Sequence, residues 1–220
     1  MNGIRLAVFD CDGVLVDSEL ITNRVFVGLL NELGIPITLE DMFEKFVGRS
    51  MAYCWDLVAG MLRHPVPPQL VEEYRRRTTA ALEAQLKAVD GIEESLDALD
   101  RLRIPYCVAS SGSHDKMQTT LGVTGLLPRF EGRIFSATEV ANGKPAPDVF
   151  LYAASKCGVA PSACCVIEDS PTGVTAGVAA GMTVYGYCAF TPAQRLVDAG
   201  AHYTFSSMWQ LPELLVGRIS

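Results

Sequence analysis

Short apolar runs alternate with amphipathic segments along most of this chain, and this alternation limits the folds that it can adopt. Such runs, bounded by turn residues, are typical of strands buried on both faces of a sheet. Strands that alternate with helices imply β–α–β units and a doubly wound parallel sheet, the α/β class. The predicted strands are Leu6–Phe9, Pro105–Ala109, Arg133–Ser136, Ala163–Ile167, Met182–Tyr187 and the less strongly patterned Tyr203–Phe205.

Helices are predicted between these strands. A leucine stripe marks the first of them, and the other two follow or begin with a proline and end before a glycine. Proline suits the first helical turn, where its missing N–H is not needed, and glycine suits the left-handed residue after the last turn. The three predicted helices are Ile92–Arg103, Asp148–Cys157 and Pro171–Ala180.

Residues 16–88 interrupt the alternation, because they contain four helical patterns and no convincing strand. These patterns are Glu19–Leu33, Leu39–Phe46, Met51–Leu62 and Pro68–Ala88. We therefore predict an all-helical cap domain at 16–88, inserted after the first strand of a core formed by 1–15 and 89–220. Joints that contain Gly and Asp, near 13–17 and 88–91, would allow the insert to move as a lid.

Two acidic clusters follow the first and fourth predicted strands. The first contains Asp10 and Asp12, and the second contains Glu168 and Asp169. In an open parallel sheet the carboxyl ends of the strands meet at one edge, where ligands bind. Carboxylates gathered there repel one another and require a cation, for which Mg²⁺ is suited by its preference for oxygen ligands. The sequence thus predicts a Mg²⁺ site of the kind used in phosphate chemistry.

Four segments resemble, in order, the motifs of the haloacid dehalogenase-like hydrolase superfamily. They are the DxDGVxxDSE pattern that begins at Asp10, Val108–Ser111, Gly143–Asp148 and Val166–Ser170 followed by Gly173. The resemblance covers nearly the whole chain and implies a Rossmann-like core, with the helical insert as a small cap placed after the first motif. The chain is most similar to the β-phosphoglucomutase and sugar-phosphate phosphatase branch, which includes 6-phosphogluconate phosphatases.

The chemistry of phosphate ester hydrolysis gives each core residue a role. A carboxylate can act as nucleophile by forming an acyl phosphate, and Asp10 is placed for this at a strand end. Asp12, two residues on, would project to the same side of an extended backbone and serve as acid and then base. Lys144 would neutralise phosphate oxygens, and Ser110 with the backbone N–H of Ser111 would hydrogen-bond the transferring phosphoryl group.

The resemblance also implies a set of metal ligands. Asp169 is the expected carboxylate ligand, and Glu168 would bind directly or through water. Asp10 and the backbone carbonyl of Asp12 would complete the protein's share of the coordination. The expected cofactor is Mg²⁺.

The cap should determine the substrate. The segment Val47-Gly48-Arg49-Ser50 resembles the substrate loop of family caps, which makes Gly48 and Arg49 the expected substrate contacts. Arg77 is either a further cationic cap residue or an ordinary surface arginine.

Three functions fit these motifs. The first is a Mg²⁺-dependent phosphatase that acts on a small phosphorylated sugar or sugar acid through an aspartyl phosphate. The alternative is a phosphosugar mutase like β-phosphoglucomutase, but Thr22 and Val47 stand where such mutases usually carry a histidine and a lysine. The third is a non-catalytic binding or regulatory module, which would not require every catalytic group to be present.

Composition restricts the partners. The net charge is −7 and no basic stripe is present, so we expect no nucleic acid partner. No apolar stretch has the length of a membrane span, so we expect no membrane partner. Seven cysteines without a CxxC pair favour a soluble, reduced, cytoplasmic protein, with Cys107, Cys164 and Cys165 as buried thiols. The expected partner is a small phosphorylated metabolite, and the protein would be a monomer or a homodimer.

Overall fold

The computed structural model describes residues 3–46 and 51–217. The predicted substrate contacts Gly48 and Arg49 lie outside the described residues. The chain divides into two compact units, one formed by Met1–Asp17 and Lys87–Ser220 and the other by Ser18–Leu86. A role for the second unit as a mobile lid stays a prediction.

A parallel sheet forms the centre of the first unit. Its strands are β1 (Leu6–Phe9), β2 (Tyr106–Ser110), β3 (Ile134–Ser136), β4 (Cys164–Glu168), β5 (Thr183–Tyr187) and β6 (Tyr203–Phe205). Each predicted strand is confirmed to within one residue at either end. The spatial order is β3-β2-β1-β4-β5-β6, with every neighbouring pair parallel, so the predicted doubly wound α/β fold is confirmed.

The helices occupy most of the remaining described chain. They are α1 (Ser18–Glu32), α2 (Leu39–Lys45), α3 (Met51–Leu62), α4 (Pro68–Gln85), α5 (Ile92–Leu102), α6 (His114–Val123), α7 (Asp148–Lys156), α8 (Pro171–Ala179), α9 (Ala193–Asp198) and α10 (Leu211–Leu215). None of the described helices is long and apolar enough to cross a membrane. The sequence prediction missed α6, α9 and α10, which are short or only weakly amphipathic.

The core of the first unit lies between the sheet and its flanking helices. All the residues of β1, β2 and β4 are buried, as expected for strands covered on both faces. Val166 and Val184 from the sheet pack with Val174 and Ala176 of α8. This packing fixes the carboxyl end of β4, where the second acidic cluster lies.

The two sequence segments of the first unit meet at a short hydrogen-bonded stem. Val16 and Ala88 form an antiparallel bridge, and the backbone N–H of Asp17 donates to the carbonyl of Lys87 at 2.9 Å. The backbone N–H of Val89 donates to the carbonyl of Leu15 at 3.0 Å. The chain therefore leaves the core and returns to it at neighbouring points.

The second unit is helical and has its own aromatic core. The Phe26 ring on α1 makes edge-to-face contacts with Phe46, Trp55 and Tyr74, at centroid distances of 5.5, 5.0 and 5.1 Å. Such contacts stabilise aromatic pairs beyond the area that they bury. They hold α1, α3 and α4 together around one buried ring.

Arg77 links two helices of the second unit. Its Nη1 donates to Glu32 Oε1 of α1 at 2.6 Å, and its Nε donates to Glu73 Oε1 of α4 at 2.7 Å. Of the two sequence interpretations, these contacts favour an arginine that ties α4 to α1 within the unit.

Gly177 of α8 gives a test of the packing between this helix and the sheet. A Cβ atom at Gly177 would lie 2.8 Å from Val184 Cγ2 and 3.3 Å from Val166 Cβ, closer than side chains pack. We expect Gly177→Ala to lower the free energy of unfolding by about 1 to 3 kcal/mol through overpacking. Urea unfolding followed by circular dichroism measures the change.

The matched control is Gly122→Ala in α6. A Cβ at Gly122 meets only Leu127 Cδ2, at an ordinary 3.9 Å. Alanine favours helices over glycine by about 0.5 to 1 kcal/mol, so this variant should be at least as stable as the natural protein. Equal stability of the two variants would contradict the close approach of α8 to the sheet.

Candidate active site

The predicted site residues meet at the carboxyl edge of the sheet. Asp10 follows the last residue of β1, Ser110 ends β2, and Glu168 ends β4. The register pairs Phe9 with both Val108 and Ile167, so these strand ends lie side by side. Parallel strands therefore bring together groups from three sequence motifs.

Lys144 makes a buried ion-pair bridge between two of these strand ends. Its Nζ donates to Asp10 Oδ1 at 2.5 Å and to Glu168 Oε1 at 2.7 Å. The side chains are only 5%, 10% and 1% exposed for Lys144, Asp10 and Glu168 respectively. Nζ also lies 4.7 Å from the centre of the Phe150 ring, which shields it from water. At such burial, charge attraction is several times stronger than in bulk water.

The charges at this edge are not balanced by Lys144 alone. Burial raises the pKa of Asp10 to about 7 against the opposing attraction of Lys144, and the carboxylates of Glu168 and Asp12 add to the rise. Burial also disfavours the charged form of Lys144, but Asp10 and Glu168 outweigh burial and raise the pKa of Lys144. One ammonium thus faces two buried carboxylates.

The Glu168 carboxylate is fixed by the first turn of α8. Its Oε2 accepts hydrogen bonds from the backbone N–H and the hydroxyl of Ser170, both at 2.9 Å. The Ser170 hydroxyl oxygen in turn accepts a bond from the Gly173 N–H at 3.1 Å, which makes Ser170 the N-cap of α8. A Cβ at Gly173 would lie 1.7 Å from Glu168 Oε1. Only glycine leaves room for the carboxylate at this position.

Asp12 contacts a residue that sequence reasoning missed. The Lys116 Nζ of α6 donates to Asp12 Oδ2 at 2.6 Å. Burial opposes the charge of Lys116, but Asp12 outweighs burial and raises the pKa of Lys116. The signal that could have located it is Ser113, an N-cap whose hydroxyl accepts the Lys116 N–H at 3.3 Å and which starts the helix that follows β2.

The turn after β2 positions the two predicted serines differently. Ser110 is buried, and its hydroxyl oxygen accepts the Gly112 N–H at 3.2 Å. This leaves the Ser110 hydroxyl proton as a donor for an anion. Ser111 is exposed. The Ser136 hydroxyl of β3 donates to the Gly112 carbonyl at 2.6 Å and fixes the same turn.

The oxygen donors at this edge have the chemistry that Mg²⁺ prefers. Asp10 and Glu168 lie at neighbouring strand ends, Asp12 follows Asp10 by two residues, and half-buried Asp169 follows Glu168 directly. Within residues 3–46 and 51–217, however, no three acidic, histidine or cysteine side chains are grouped closely enough to form a metal site by themselves. The Lys144 ammonium lies between the carboxylates of Asp10 and Glu168. The four predicted ligands carry the oxygen donors that Mg²⁺ prefers. Their coordination of the ion stays a prediction.

Comparison with known proteins identifies similar chains. Residues 4–181 match the sequence model of a family described as haloacid dehalogenase-like hydrolase. The 6-phosphogluconate phosphatase of Escherichia coli (strain K12) is 34% identical over 221 residues, which cover 99% of this chain and 97% of that protein. A probable pseudouridine-5'-phosphatase of Drosophila melanogaster is 36% identical, over 84% of this chain and 81% of that protein.

Solved structures with a similar fold were also found. A conserved haloacid dehalogenase-like protein of unknown function from Agrobacterium tumefaciens superposes with a TM-score of 0.91 at 37% identity. The match covers 98% of this chain and 99% of that one. The likeness therefore includes the helical segment as well as the sheet.

The buried Asp10 gives a pH-dependent test of the site. Its pKa in the folded chain is raised above its ordinary value of 3.8, so the folded state binds the proton more tightly than the unfolded state. Stability should therefore fall as pH rises from about 4 to about 7. In chelator, Asp10→Asn should be more stable than the natural protein at pH 8, by about 1 to 4 kcal/mol, and equally stable near pH 4.

Chemical unfolding at a series of pH values measures this difference. Asp115→Asn in α6, where the side chain is exposed, controls for the general loss of one negative charge. If the difference in unfolding free energy between Asp10→Asn and the natural protein does not change with pH, burial does not raise the pKa of Asp10.

Proposed function

Because this chain belongs to the haloacid dehalogenase-like hydrolase family and is a phosphoric monoester hydrolase, we propose that it hydrolyses a small phosphorylated sugar or sugar acid. The proposed cofactor is Mg²⁺, and the proposed intermediate is an aspartyl phosphate on Asp10. The observation that carries this proposal is the buried Lys144 ammonium, which lies between the carboxylates of Asp10 and Glu168.

This arrangement supports nucleophilic catalysis by a carboxylate. Asp10 lies at a strand end, and a cation beside it can neutralise phosphate oxygens as the nucleophile approaches. In the proposed first step an Asp10 oxygen bonds to phosphorus, while the bond from phosphorus to the ester oxygen breaks. Lys144 and the Ser110 hydroxyl hold the phosphoryl oxygens during this transfer.

Asp12 is the proposed proton donor and acceptor. In the first step it gives a proton to the departing alcohol oxygen, and in the second it takes a proton from the water that attacks phosphorus. The second step releases inorganic phosphate and restores the Asp10 carboxylate. Lys116 is proposed as a positioning residue, because its 2.6 Å ion pair restrains Asp12.

The proposed Mg²⁺ would be held by Asp10, Asp169, Glu168 and the backbone carbonyl of Asp12. When bound, it neutralises charge on the phosphate and on the carboxylates. The single ammonium beside two buried carboxylates supports this need for a further cation. Glu168 has Oε1 on Lys144 and Oε2 on Ser170, which favours contact with the ion through water over direct contact.

The substrate class is supported by the relatives. The names of the Escherichia coli and Drosophila melanogaster phosphatases refer to phosphate esters of a sugar acid and of a nucleoside. Both are small polyhydroxylated alcohols that carry one phosphate monoester. Selection by Gly48 and Arg49, a cytoplasmic location, and a monomeric or homodimeric state are further proposals that rest on the sequence.

A substrate panel tests the proposed function. We expect phosphate release from sugar, sugar-acid or polyol monophosphates in the presence of Mg²⁺, loss of activity in excess chelator, and recovery when Mg²⁺ is restored. Phosphate is measured by a colorimetric assay, with Asp10→Asn as the inactive control. Full activity in chelator would contradict the metal requirement, and conversion of one sugar phosphate into its isomer without phosphate release would favour a mutase.

Paired variants test the roles of Asp12 and Lys116. Asp12→Asn removes proton transfer, which typically contributes 10²–10⁴-fold, and should reduce kcat by about that factor. Lys116→Met leaves the carboxyl group but loosens its position, so kcat should fall by about tenfold with KM little changed. Lys116→Arg, which keeps the charge, should recover part of the loss.

Intact mass spectrometry completes this test. With an activated ester such as p-nitrophenyl phosphate, whose leaving group needs no proton, Asp12→Asn should accumulate a phosphorylated enzyme, whereas Asp10→Asn should never carry phosphate. A phosphorylated Asp10→Asn protein would show that another residue is the nucleophile. Equal kcat values for Lys116→Met and the natural enzyme would show that the ion pair does not position Asp12.

A further inference from the structure

A cavity of about 330 Å³ lies at the amino edge of the sheet, away from the site described above. Its lining includes Leu6 and Tyr106, the first residues of β1 and β2. Arg133, directly before β3, and Lys156, the last residue of α7, also line it. Two cations from separate parts of the chain thus share one cavity that the proposed hydrolysis does not use.

The two cations of this cavity have no carboxylate partner. Among the residues that the structure describes, no acidic side chain lies within ion-pair distance of Arg133 or Lys156. Arg129, by contrast, pairs with both Asp97 and Asp100. In a chain whose net charge is −7, the cavity is therefore a local positive region that an anion can neutralise.

Arg133 is held by contacts that leave most of its donors unused. Its guanidinium carbon lies 5.2 Å from the centre of the Tyr106 ring. Its Nη2 donates to the Arg129 carbonyl at 2.7 Å, and within the described chain this is its one side-chain hydrogen bond. A guanidinium carries five N–H donors in a rigid fork that matches the oxygens of an oxyanion. Arg133 is therefore oriented on an aromatic face with donors to spare.

Lys156 adds a second charge at the end of α7. Its Nζ lies 5.2 Å from the centre of the Tyr152 ring, and the residue is exposed. The carbonyl end of a helix normally disfavours an anion. Here the carbonyls of residues 153–155 accept hydrogen bonds from the backbone N–H groups of residues 157–159. The end of α7 therefore opposes an anion less than an uncapped helix end would.

Apolar side chains form much of the remaining lining. Leu6 and Phe135 are buried residues of the sheet, and Pro105 and Val159 belong to the adjoining turns. Small-molecule sites typically have volumes of about 300–1,000 Å³ and combine apolar walls with a few placed polar groups. A cavity of this size and lining suits an anion that carries an apolar group better than it suits a bare inorganic ion.

We propose that this cavity binds a small organic oxyanion, in which a carboxylate or phosphate group is attached to a compact apolar body. The Arg133 fork holds two oxygens of the anion, and Lys156 supplies further charge. The apolar body lies against Leu6 and Phe135. This site is separate from the residues proposed for phosphate ester hydrolysis, so the proposal does not depend on that function.

Titration calorimetry of the full chain with benzoate and with phenylphosphonate tests the proposal and separates the carboxylate from the phosphate chemistry. Neither probe has an ester bond to be hydrolysed. At least one of them should bind, whereas benzamide, which lacks the charge, and acetate, which lacks the ring, should bind about tenfold more weakly or less. No binding of either probe at about 10 mM, or equal binding by benzamide or acetate, would overturn the proposal.

Variants on two different elements locate the bound probe. Lys156→Gln removes an exposed charge and should weaken binding by about two- to fivefold, because exposed charges interact weakly. Arg133→Gln removes the fork and should weaken binding by about tenfold or more. Arg133→Lys keeps the charge without the fork, so its affinity should fall between those of Arg133→Gln and the natural protein. Circular dichroism checks the fold, and the exposed Lys156 provides the test if Arg133→Gln does not fold.

Arg101→Gln is the matched control for the loss of one positive charge. Arg101 is exposed on α5 and does not line the cavity. This variant should bind the probes as tightly as the natural protein does. Unchanged affinity in Lys156→Gln or in a folded Arg133→Gln would show that the probe binds elsewhere. An equal loss in Arg101→Gln would show that only net charge attracts it, and either result would overturn the proposal.

Discussion

The ion-pair bridge from Lys144 to Asp10 and Glu168 is the interaction on which the rest of the site depends. It joins the ends of β1 and β4 to the turn before α7, three segments far apart in the sequence. A buried charge is costly unless it is paired, so this bridge is stable only while all three segments are in place. The charge pairing in the site thus depends on the correct fold of the sheet.

Much of the sheet and its reactive edge could be predicted, because the signals are local. An apolar run followed by carboxylates identifies a strand end, and parallel pairing brings Asp10 and Glu168 to one edge. Lys116 was missed because its contact with Asp12 spans 104 positions and α6 has a weak apolar stripe. Gly48 and Arg49 lie outside the described residues, so their part of the site rests on sequence resemblance.

The two edges of the sheet share the same structural elements. β2 carries Cys107 near its amino end and Ser110 at its carboxyl end, while α7 begins shortly after Lys144 and ends before Cys157. Because α7 packs against β2, the strand that ends at Ser110 and the helix that follows Lys144 are held together.

The stem formed by Val16 and Ala88 has a consequence for how such proteins diversify. Because the chain leaves and re-enters the core at a hydrogen-bonded pair, the two ends of the intervening segment are joined within the core itself. The entropy of closing a loop grows slowly with its length, by about 0.6 kcal/mol for each doubling. Insertions, deletions or wholesale exchange between Asp17 and Lys87 would thus leave the sheet nearly as stable as before. If the insert selects the substrate, as proposed, recombination of such segments would change that preference while the proposed catalytic residues of the core stay unchanged.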